Sequence, residues 1–153
     1  MRSVLTSAAA ILFIGGCAKE TAQPLEDHSH GATVALPALR VPWTLTILDM
    51  QRRVIGQLTV RFTGDNAPSC RGGDWKRIVV LNYRQLGEPA FPGNDQLSYI
   101  TEGGTLTVGR NEVCDGYVML KGDLTSTSFS GDYFTLGLGG TSQLGYVQGA
   151  PNK

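Results

Sequence analysis

A side-chain period of two begins at Trp43 and persists almost to the C-terminus, and few folds satisfy it. Trp43, Leu45 and Ile47 alternate with Thr44 and Thr46. After a polar break at residues 49–53, Val54, Leu58, Val60 and Phe62 alternate with Ile55, Gln57, Thr59, Arg61 and Thr63. Successive side chains of a strand point to opposite faces, so this spacing predicts a hairpin with one buried face. Further strands are expected over 74–81, 97–101, 105–108, 116–124, 129–138 and 143–147, with Glu102-Gly103-Gly104 and Gly139-Gly140-Thr141 as turns. The run Ile78-Val79-Val80-Leu81 predicts burial on both faces.

Eight strands joined by mostly short connections put sequence neighbours beside one another, which makes an antiparallel meander. The expected class is all-β, a small eight-stranded meander barrel, because closure removes unpaired edges. A β-sandwich is the alternative, since periodicity does not separate the two. Glycines at 56, 116, 122, 131, 137 and 145 suit the bends that closure needs. The pattern resembles the small barrels of avidin-like and lipocalin-like proteins, with Trp43 at the start of the first strand; the glycine that precedes the lipocalin tryptophan is replaced by Val41.

The N-terminus is organised differently. Met1-Arg2 gives a positive start, residues 4–14 are mostly apolar, and Gly15 and Gly16 lead into Cys17. Such a run is too short to span a bilayer as a helix, which takes ~20 residues, and it has the layout of an export signal. Ile14-Gly15-Gly16-Cys17 resembles the lipobox of bacterial lipoproteins. That resemblance implies cleavage before Cys17, acylation of its thiol and attachment to a membrane, and Ala18 in the following position implies the outer membrane. Which face of that membrane the protein occupies stays open. The expected organisation is a signal peptide at 1–16, a lipidated cysteine and tether at 17–41, a barrel at 42–149 and a tail at 150–153.

With Cys17 used by lipid, Cys70 and Cys114 are left as a pair in an oxidising compartment, where a disulfide is the expected outcome. Closing a loop of about 45 residues stabilises a fold by roughly 4 kcal/mol in the chain-entropy picture.

Removal of residues 1–16 takes Arg2 from the 13 Lys and Arg and leaves 12 against 13 Asp and Glu. A net charge of −1 without a basic run argues against nucleic acid as a partner. The folded region carries no histidine, since His28 and His30 both lie in the tether, so an imidazole-activated nucleophile is not expected. A flexible tether preorganises no metal site, and neither metal nor cofactor is expected. Asp115, Asp123 and Asp132 fall near strand ends, where aspartates usually accept turn hydrogen bonds.

Binding is better supplied. Trp43, Trp75, Tyr99, Tyr117, Phe129, Tyr133 and Tyr146 fall on strands, where they either fill the core or line a cup for a small apolar ligand. The loop at 82–94 carries Leu86 and Phe91, which act either as a plug over the core or as an anchor for a partner. Ser130-Gly131-Asp132-Tyr133 resembles a shortened form of the Ser-Gly and Tyr motif of bacterial lysozyme inhibitors, with one spacer residue instead of two. The expected function is therefore non-enzymatic: an outer-membrane lipoprotein whose barrel binds an envelope partner or a small apolar ligand. The alternative is inhibition of a lysozyme or another foreign hydrolase through Ser130, Gly131 and Tyr133.

Overall fold

A computed structural model describes residues 39–110 and 116–153 of the chain. Cys17, both histidines of the tether, Cys114 and Asp115 lie outside the described residues. Eight strands follow one another: β1 (Trp43–Asp49), β2 (Val54–Asn66), β3 (Lys76–Gln85), β4 (Ser98–Glu102), β5 (Thr105–Gly109), β6 (Gly116–Leu124), β7 (Phe129–Gly137) and β8 (Gly140–Pro151). Each pairs antiparallel with the next, and β8 returns to β1, which closes the meander into a barrel.

The period-two pattern sorts side chains across the wall. Trp43, Leu45, Ile47, Leu58, Val60, Phe62, Leu106, Val108, Leu120, Phe129, Tyr133 and Val147 are buried in one cluster. Phe62 bridges two rings edge-on, with centroids 6.3 Å from Trp43 and 4.9 Å from Tyr99. Such pairs add roughly 0.5–1.5 kcal/mol each beyond the area they bury.

Four local expectations are corrected. Val54 is exposed and Ile55 is buried, because Ile47 pairs with Gly56 while Leu48 pairs with Val54. The skipped Ile55 is a bulge, and one extra residue reverses which side chains face inward. In β3 only Ile78 of the apolar run is fully buried; Val79 and Leu81 are 39% and 47% exposed. That strand also continues to Gln85, so the connection begins four residues later than the turn-forming residues suggest. β8 is longer than its apolar stretch, since Ala150 and Pro151 pair with Thr44 and Trp43.

Closure depends on close approach between β6 and β7. Gly122 and Gly131 face each other, and a Cβ on either would strike the opposite backbone: the carbonyl of Ser130 for Gly122, and that of Lys121 for Gly131. Gly131 is thereby explained by packing. The seam between β3 and β4 is slight. Only Lys76–Tyr99 and Arg77–Ser98 pair across it, and the Ile78 amide adds one bond to the Leu97 carbonyl at 3.0 Å.

Candidate functional site

The connection from β3 to β4 returns into the barrel. Leu86 and Gly87 donate to the Ile55 carbonyl at 2.8 and 3.0 Å, which turns the chain back over the rim. The Glu88 carboxylate then accepts from the Ala90 amide at 2.7 Å and from the Gln85 side chain at 2.9 Å. These bonds aim Phe91 inward, where it is 3% exposed and meets the Tyr133 ring at 5.9 Å in an edge-on contact. Tyr133 donates its hydroxyl to the Ala90 carbonyl at 3.0 Å, and Tyr83 donates to the Phe91 carbonyl at 2.5 Å. Phe91 is therefore the plug. Leu86, at 49% exposed, stays on the surface.

Tyr133 is fully buried. Burial first, then the neighbouring Tyr83 and Glu88, push its hydroxyl up to about 12, so it remains a proton donor to the loop at neutral pH. Tyr99 is raised for the same leading reason, with Asp74 adding to it, and donates to the Thr63 carbonyl at 2.8 Å. Ser130 is exposed beside this buried tyrosine. Ser130 and Tyr133 thus point to opposite sides of the wall and form no common surface.

Of the seven aromatics expected on strands, Trp75 lies just before β3, and Trp43, Tyr99, Phe129 and Tyr133 fill the interior; Phe91 occupies the place a ligand in a cup would take. The outer wall offers the alternative. A groove of about 440 Å³ runs across the outside of β4–β7, lined by Ile100, Thr107, Met119, Phe134 and Leu136, with Arg71, Lys121 and Glu102 around it. Its roof is the β2–β3 loop. Gly72 and Gly73 have φ of 69° and 88°, a left-handed conformation that side chains resist, and this lays the loop flat on the wall. The Gly72 carbonyl accepts from the Trp75 indole at 2.8 Å, so the buried Trp75 ring forms part of the same roof.

Arg71 closes one end: its guanidinium lies 2.8 Å from the Met119 sulfur and 5.4 Å from the centre of the Tyr117 ring. A floor of apolar side chains with Arg71 and Lys121 at its border, beside Glu102, can take a short apolar chain whose anionic end meets the two cations. Asp132 stands on the outer wall and accepts from the Gln143 side chain at 2.8 Å, while Asp123 is exposed at the end of β6. Sequence patterning did not reveal this groove. Its residues are the outward members of four strands, individually ordinary, joined only by the glycine-led fold of a distant loop.

No family model, curated protein or solved structure matches this chain.

Proposed function

We propose that the chain is a non-enzymatic lipoprotein of the outer membrane, held by an acylated Cys17 and a tether over 17–41, whose barrel binds small anionic amphiphiles on its outer wall. The observation that carries the binding part is the pairing of a filled interior with an external groove that has Ile100, Met119, Phe134 and Leu136 on its floor and Arg71, Lys121 and Glu102 at its border. Support for the anchoring part is the order and spacing of Ile14-Gly15-Gly16-Cys17 after a positive start and a short apolar run. Cys70 pairs with Cys114 in this reading. Arg71, the neighbour of Cys70, reaches Tyr117 and Met119 at the start of β6, a few residues beyond Cys114 in the chain.

Decanoate is the probe that tests the groove. Titrated into the isotope-labelled protein, it is expected to shift the resonances of Ile100, Met119, Phe134 and Leu136. Replacing Lys121 by Glu should weaken binding by about tenfold, the loss of one charge-assisted contact. Shifts confined to Trp43, Phe129 and Tyr133 would place the ligand inside the barrel and overturn the proposal, as would saturation without any shift along the groove.

A further inference from the structure

β3 is fully paired on one side only. On its β2 side a ladder runs from Gln85, opposite Gly56, to Ile78, opposite Phe62. On the other side pairing stops at Ile78. From residue 79 to residue 85 the edge turned away from β2 makes no backbone hydrogen bond among the described residues. The wall opens there into a cleft of about 490 Å³ between β3 and residues 93–96, with Val80, Leu81, Asn82 and Tyr83 along one side. A row of unpaired amides and carbonyls is a template for another extended chain, and edges are ordinarily blunted by charge, proline or cover. Here Val79 and Leu81 stand exposed on the strand whose edge is open.

The adjoining face specifies charge. Leu58, Val60 and Phe62 of β2 face the core, so the residues between them face outward together with their partners on β3. Arg61 lies opposite Val79 and Gln57 opposite Arg84. Arg61, Arg77 and Arg84 are all exposed, and among the described residues none forms an ion pair; the salt bridges there join Arg53 to Asp49, Lys76 to Asp74 and Arg110 to Asp95.

We propose that the β3 edge over residues 79–85 binds an extended, acidic polypeptide segment by strand addition, at a site separate from the wall groove. A peptide supplies both donors and acceptors at the repeat of the edge, and acidic side chains on one of its faces meet the three arginines. Lipid headgroups offer acceptors but no matching ladder of donors. A second copy pairing edge to edge would bring its own arginines against these, and like charges in that position repel.

The test is titration of the isotope-labelled full-length chain with a synthetic peptide alternating glutamate and threonine. About eight residues match the edge at ~3.3 Å per residue. The expected result is amide shifts concentrated at residues 79–85, and an affinity about tenfold weaker in the double variant Arg61→Glu, Arg84→Glu. Methylating alternate peptide nitrogens, which preserves charge and removes donors, should abolish binding. Equal affinity for the methylated peptide would overturn the proposal. So would shifts at 79–85 caused by phosphatidylglycerol vesicles and not by the peptide, or by concentrating the protein alone.

Discussion

Asp49 shows how a single side chain holds a turn together. Its carboxylate accepts from the amides of Gln51 and Arg53 at 2.8 and 2.9 Å and from the Arg53 guanidinium at 2.6 Å, while Arg52 takes a φ of 64° between them. Burial works against the charge, but the Arg53 amide, then its guanidinium, and the Gln51 amide outweigh it and hold the carboxyl below its ordinary value. A carboxyl depressed in the folded state contributes stability above its unfolded value of about 3.9, and that contribution is lost as pH falls through the folded value. Asp49→Asn is therefore expected to lower the melting temperature by several degrees at pH 7. The difference from the parent should shrink below about pH 4, and thermal melts across the acid range check both statements.

At the scale of elements, the β3–β4 connection divides its two large apolar residues between different tasks. Phe91 fills the barrel mouth against Tyr133, and Leu86 remains outside. Phe91→Ala should destabilise the protein by about 3–5 kcal/mol, the usual cost of emptying an aromatic site in a core. Leu86→Ser should fall within about 0.5 kcal/mol of the parent. Urea unfolding of the two variants measures the contrast directly.

The same elements show what patterning could and could not reveal. Alternation located all eight strands, because a wall with one wet and one dry face imposes a period of two on every strand it contains. It lost phase at Ile55 and Leu81, where register shifts place an unmatched residue in one strand. It also misjudged Val79, which lies opposite the outward-facing Arg61 and so stands on the wet face of the wall, next to the inward Ile78. The Ser-Gly and Tyr string at 130–133 was visible as a motif, but its burial depended on the inward phase of β7. The groove drew on Arg71 and Trp75 from a loop far in sequence from Met119 and Phe134, so no local window contained it.

At the scale of the whole molecule, closure and filling act together. The return of β8 to β1 removes two edges, aromatic residues and the plug occupy the interior, and the concave features open to solvent are a groove over β4–β7 and a cleft beside the unpaired part of β3. In the proposed reading, an acylated Cys17 and the segment that follows it hold this body at a membrane surface. The anchor and the cysteine pairing are read together by the intact mass of the protein extracted from membranes and alkylated without reductant. The predicted mass lacks residues 1–16, carries added acyl chains on Cys17 and shows no alkylation at Cys70 or Cys114. A mass that retains the leader, or an unacylated Cys17, would contradict the lipoprotein assignment.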